Sequence, residues 1–122
     1  MSRYDKYDNI SGGFRAPLDA DQDKITGNPI GYGLDTDGHA VPGAGTTGVV
    51  GVLLVTRDML AGEIVDIMTD GEIVEFTGDP GTIYYAAAAD GVISDTPSDF
   101  PVGFTVESTR LIVRAGMNIA GF

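Results

Sequence analysis

The sequence predicts an all-β protein: a small β-barrel or sandwich of six to seven short strands behind a long extended N-terminal arm. Three observations predict it. Short β-branched and aromatic runs recur from residue 47 onward, separated by Gly, Asp and Pro turn signals. No window carries the 3.6-residue apolar period of a long amphipathic helix. Residues 1–46 hold Gly12, Gly13, Gly27, Gly31, Gly33, Gly38, Gly43 and Gly45 with Pro17, Pro29 and Pro42, and their apolar residues are isolated. Glycine disfavours order in a free chain, and proline interrupts both helices and sheet ladders. The reading is therefore an arm over 1–46 that orders on another surface, and a β-barrel-like domain over 47–122. At about 3.3 Å per residue such an arm would reach on the order of 150 Å.

The elements follow in order. Gly48–Val55 is an apolar, β-branched run suited to a buried strand. Glu63–Thr69 and Glu72–Thr77 flank Asp70-Gly71, the strongest short hairpin signal, because a type I′ turn needs φ > 0 at both central residues. That turn would pair Met68 with Ile73 and Asp66 with Glu75, and put Val65, Ile67, Val74 and Phe76 on one core face. Asp66 and Glu75 would then oppose each other, a like-charge pair needing solvent, a cation, Arg110 or Arg114 to offset it. Gly78–Gly81 is a turn. Thr82–Ala89 is a further strand whose alanines admit close approach of another layer, such as another subunit. Val92–Ser94 is a short strand. Pro101–Glu107 alternates, with Val102, Phe104 and Val106 on one face, and Arg110–Ala115 is the last strand.

Composition bounds function. Seven Lys+Arg against 18 Asp+Glu give a formal net charge of −11. A sequence-independent grip on nucleic acid needs clustered cations, and an anionic membrane surface needs them too. Neither is expected as a partner. The absence of cysteine excludes disulfides, thiolate metal sites and cysteine nucleophiles. No apolar run approaches the roughly 20 residues of a membrane span, and the first residues carry no secretory signal pattern, so synthesis in the cytosol is expected.

Motifs for chemistry are weak. Asp66 and Glu75 could form a paired-carboxylate hydrolase site, but a hairpin face offers no cleft. Asp19-Ala20-Asp21-Gln22-Asp23 opens like an EF-hand loop, yet Lys24 and Ile30 stand where the loop needs Gly and Glu. Asp35-Thr36-Asp37-Gly38 is a second partial match, and both read better as acidic turns. His39 reads as a loop histidine. No catalytic, cofactor-binding or metal-ligating residue is assigned, and no cofactor or enzymatic activity is expected. The interface signal is stronger: Arg3, Tyr4, Lys6, Tyr7, Phe14 and Arg15 cluster near the start, and Tyr and Arg are favoured interface anchors.

Tyr4-Asp5-Lys6-Tyr7-Asp8, Gly12-Gly13-Phe14-Arg15-Ala16 and Val41-Pro42-Gly43 are joined by Ala61–Met68, Gly71–Glu75, Gly81–Tyr85, Pro101–Phe104 and Thr109–Val113. Together these segments, spread over nearly the full length, resemble the small capsid decoration, or cement, proteins of tailed bacteriophages. The resemblance implies a homotrimer on the outer capsid surface of the virion that clamps neighbouring major capsid protein subunits and stabilises the shell. On that reading the six clustered residues contact the capsid. A carbohydrate-binding or host-attachment β module on the virion, with Tyr84-Tyr85 stacking on sugar, is the alternative.

Overall fold

The computed structural model describes residues 12–24, 28–74 and 76–115. Ten strands run β1 (Gly13–Pro17), β2 (Ile30–Leu34), β3 (Ala40–Pro42), β4 (Gly51–Leu53), β5 (Ile64–Met68), β6 (Asp70–Ile73), β7 (Ile83–Ala86), β8 (Ile93–Ser94), β9 (Pro101–Glu107) and β10 (Arg110–Arg114). The two-residue side-chain period is plain in β5, where Val65 and Ile67 are buried while Ile64 and Asp66 are exposed. It recurs in β10, where Leu111 and Val113 are buried.

Two five-stranded antiparallel sheets result, ordered β1-β5-β4-β2-β3 and β6-β10-β9-β7-β8. The fold is all-β, as the sequence predicts, and it is a sandwich rather than a closed barrel. Seven of the ten strands lie beyond residue 47, the expected number for that region.

Two apolar cores share the first sheet. One gathers Val49, Val52 and Met68 with Ile73, Phe76, Tyr84, Ala86, Val102, Leu111 and Val113 of the second sheet and its flanks. The other gathers Ala16, Leu18, Tyr32, Leu53, Val65 and Ile67, covered by Val55 and Met59. Adjacent residues divide between the cores: Val52 from Leu53, and Met68 from Ile67. The first sheet is therefore buried on both faces at its inner strands: all three residues of β4 and the middle three of β2 are buried, while β5 keeps Ile64 and Asp66 exposed. The sheet also curls, since Leu18 at the end of β1 bridges Ala40 at the start of β3 in parallel. Close approach of the layers fixes residue size at one point. A Cβ on Gly31 would lie 2.5 Å from the Ala86 Cβ and 2.9 Å from Val49 Cγ1.

Residues 13–46 correct the expectation of an arm. They supply β1, β2 and β3, and β2 pairs with β4 across the proposed boundary at residue 46. Ala16, Leu18, Tyr32 and Ala40 belong to a core. Of the glycines that suggested disorder, Gly31 and Gly33 flank Tyr32 in β2, where a Cβ on Gly31 would meet the second sheet and one on Gly33 the carbonyls of Ala44 and Gly48. Residues 1–11 of the expected arm lie outside the described residues.

The Asp70-Gly71 hairpin is also corrected. Only Thr69 separates β5 from β6, and there the chain crosses from one sheet to the other. Ile73 pairs with Leu111, and Met68 with Gly13 and Val52. Asp70 lacks the positive φ of a type I′ turn. Val74 is 65% exposed, and Phe76 joins the other core from Val65 and Ile67. In β9 the alternation slips at Val102, where the β7–β9 register shifts between Tyr84 and Tyr85 and leaves Val102 and Gly103 both buried. Thr105 is consequently buried and Val106 exposed, and the Thr105 hydroxyl donates to the Asp79 carbonyl while accepting the Thr82 N–H at 3.1 Å. The layer admitted by Ala86 is the chain's own first sheet, and Ala88 and Ala89 form a turn.

Two outcomes test this architecture. Leu18 is 2% exposed, so Leu18→Ala should cost about 2–4 kcal/mol in urea unfolding, whereas a residue of an unpacked arm would cost almost nothing. Tyr32 is 1% exposed, its hydroxyl bonded to the Gln22 amide oxygen, and burial pushes its phenol from 10.0 up to about 12. The neutral form is thus favoured in the fold. That contribution is complete below pH 10 and is lost as pH rises towards 12. It amounts to roughly 2–3 kcal/mol at most, and Tyr32→Phe should flatten the alkaline limb of a stability-versus-pH curve.

Candidate functional site

β1 is an edge strand of the first sheet. The Gly12 carbonyl accepts from the Thr69 N–H and the Leu18 N–H donates to the Glu63 carbonyl, both towards β5. By the two-residue period, Gly13, Arg15 and Pro17 direct their backbone polar groups away from the sheet. Among the described residues no strand pairs with this outer side, and because Pro17 has no N–H its donors are those of Gly13 and Arg15.

Beside this edge lies an apolar groove of about 780 Å³, lined by β1, β4, β5 and the segment after β4. Leu54 and Ile64, 45% and 58% exposed, stand on its wall. Arg15 and Arg57 supply its charge. Each is held by an acid: Arg15 Nε donates to Asp66 Oδ1 at 2.8 Å, and Arg57 pairs with Glu63. The hydrogen bond from Arg57 holds Glu63 below the usual carboxylate range, assisted by the Leu60 N–H.

Of the expected contact residues, Arg3, Tyr4, Lys6 and Tyr7 lie outside the described residues. Phe14 and Arg15 both line the groove. Phe14 is half-buried against the core beneath it, so only part of its ring faces outward. Leu54, Ile64 and Arg57 were not singled out from sequence. The alternation of Ile64-Val65-Asp66-Ile67 carried a signal for Ile64, because it sets that apolar side chain opposite the core pair. Arg57 carried none.

The other candidates fare differently. Asp66 is matched by Arg15 rather than by Arg110 or Arg114, and Glu75 lies outside the described residues. Arg110 instead bridges Glu72 at 3.5 Å and Glu107 at 2.9 Å. Tyr84 is 7% exposed, packs edge-on against Phe76 at 4.9 Å, and accepts the Asp79 N–H, so it cannot stack on a sugar. Asp19, Asp35 and His39, taken separately in the sequence, converge: one donor atom from each lies within 4.8 Å of the others. The His39 N–H, together with that of Asp37, bonds Asp35 Oδ1 and holds its carboxyl below the ordinary range.

No protein-family model matches the chain, and no curated protein matches its sequence. Among solved structures it is similar to a protein of Mycobacterium phage Patience, with a TM-score of 0.79 and 18% identity over 93% of this chain and 96% of that one. At this identity the likeness establishes the shared fold.

The groove is separable from the fold. Ile64→Glu and Leu54→Glu place charge on positions already half in water, so each should change unfolding free energy by no more than about 0.5 kcal/mol. Arg15→Ala removes an exposed pair and should cost less than about 1 kcal/mol. Circular dichroism and urea unfolding check both.

Proposed function

We propose that this protein is a structural component of a phage virion, a decoration protein seated on the outer capsid surface that stabilises the shell by clamping neighbouring major capsid subunits. The observation that carries this reading is the fold shared with a phage protein across nearly the whole of both chains. The sequence segments that resemble cement proteins support the finer role. The protein acts by adhesion and without catalysis, as a trimer about a capsid three-fold, where each weak contact is multiplied by avidity.

The open β1 edge and its groove are the surface best suited to a capsid subunit. An extended capsid segment adds main-chain hydrogen bonds at Gly13 and Arg15, while Leu54 and Ile64 take up its apolar side chains. The acidic exterior keeps closely spaced copies soluble.

The test adds purified protein to capsids lacking it and measures occupancy by electron microscopy. Wild-type protein should fill its sites, and Leu54→Glu/Ile64→Glu should weaken occupancy at least tenfold while remaining folded. Truncation must stop before Gly12, since Ala16 and Leu18 are core residues. Unchanged occupancy in the double variant rejects the groove as the contact, and absence of capsid binding by the wild type rejects the function.

A further inference from the structure

We infer that Asp19, Asp35 and His39 form a binding site for a first-row divalent transition-metal ion, of the class typified by Zn²⁺. The three donors come from separate points of the chain: Asp19 just after β1, Asp35 at the end of β2, and His39 at the start of β3. Their ligating atoms lie within 4.8 Å of one another. His39 Nδ1 and Asp19 Oδ1 are 3.3 Å apart. Two donors held by one tetrahedral ion at bonds of about 2.0–2.1 Å are separated by about 3.3–3.4 Å, so this edge already has the span of a coordination polyhedron.

Charge supplies a second, independent argument. Two carboxylates are brought together in a chain of net charge −11. Among the described residues, Arg15, Arg57 and Arg110 are committed to Asp66, Glu63, Glu72 and Glu107, and no Lys or Arg pairs with Asp19 or Asp35. Among the described residues the one basic group paired with them is the His39 imidazole. Two carboxylates this close repel one another, and a cation held between them offsets that repulsion. An imidazole beside two carboxylates selects the class of ion: Ca²⁺ and Mg²⁺ favour all-oxygen shells, whereas Zn²⁺, Co²⁺ and their neighbours accept nitrogen and oxygen together.

The position gives the ion a structural task. Asp19 N–H donates to the Ala40 carbonyl at 3.0 Å, next to the Leu18–Ala40 bridge. That bridge is where the curled first sheet brings β1 against β3. Asp35 is already oriented, because Oδ1 accepts two backbone N–H groups at 2.9 Å. An ion there would tie the end of β1 to the β2–β3 turn and lock the curl, with water completing its shell.

The experiment titrates Zn²⁺, Co²⁺, Ca²⁺ and Mg²⁺ separately into full-length protein at pH 7.5, following heat and thermal unfolding. Zn²⁺ and Co²⁺ should bind one per chain with micromolar dissociation constants and raise the unfolding midpoint by several degrees. Bound Co²⁺ should show visible absorption bands. His39→Gln and Asp19→Asn should each weaken binding at least tenfold while the far-ultraviolet spectrum stays unchanged. Asp35→Asn, which keeps the turn's oxygen acceptor, should weaken it likewise. Zn²⁺ binding that is absent at about 1 mM, or unaffected by His39→Gln, overturns the site. Equal stabilisation by Ca²⁺ or Mg²⁺ overturns it too, since general charge neutralisation would then suffice.

Discussion

The constraint on which the structure rests is the burial of the first sheet's inner strands, β2 and β4, on both faces. An antiparallel sheet usually turns one face to water, and its strands then alternate apolar with polar. Here β4 has no polar position, and β2 places Tyr32 in one core while Gly31 faces the other. Each core alone is small for a chain of 122 residues. Sharing the inner strands lets both cores draw on the same backbone hydrogen bonds, so the β2–β4 ladder bonds are shielded from water on two sides. A change at Gly31 would therefore be felt in both cores, through Ala86 on one side and through the strand carrying Tyr32 on the other.

Electrostatics sets the surface. With 18 acids against seven Lys and Arg, cations are scarce. Arg15, Arg57 and Arg110 each meet a carboxylate in an exposed setting. Exposed pairs contribute about 0–1 kcal/mol, so stability is not their main effect. What they do is orient guanidinium groups, two of them on the groove wall beside an unpaired edge. A partner carboxylate arriving there exchanges one acid for another around an arginine already placed, which limits the side-chain entropy lost on binding.

Fold class, the strands beyond residue 47 and most of their buried faces were legible in the sequence, because Val, Ile and Phe alternate against local turn signals there. The first 46 residues were not. A glycine selected for a left-handed turn or for close layer contact has the same letter as one in a flexible linker, and only the opposing Ala86 and Val49 distinguish Gly31. Asp70-Gly71 misled for a related reason. A dipeptide specifies a turn only when both flanking strands lack better partners, and β5 finds β1 and β4 while β6 finds β10. At the site, Phe14 and Arg15 were visible as residue types. The convergence of Asp19, Asp35 and His39 depends on the curl of the sheet, which no local pattern encodes.

The edges explain why one face is left for a partner. A sandwich that does not close must protect its unpaired strands or pair them with something. Three of the four edges are covered at some point by the chain itself. β3 meets the end of β1 through Ala40 and Leu18, Val92 just before β8 bridges Ile30, and the start of β6 receives a contact through Asp70 and Gly12. Among the described residues nothing pairs with the outward groups from Gly13 to Arg15. Proline at 17 and the charge of Arg15 restrict that opening to a short stretch, too brief to template indefinite strand addition. A short edge beside an apolar groove suits one defined segment of another protein and discourages open-ended polymerisation.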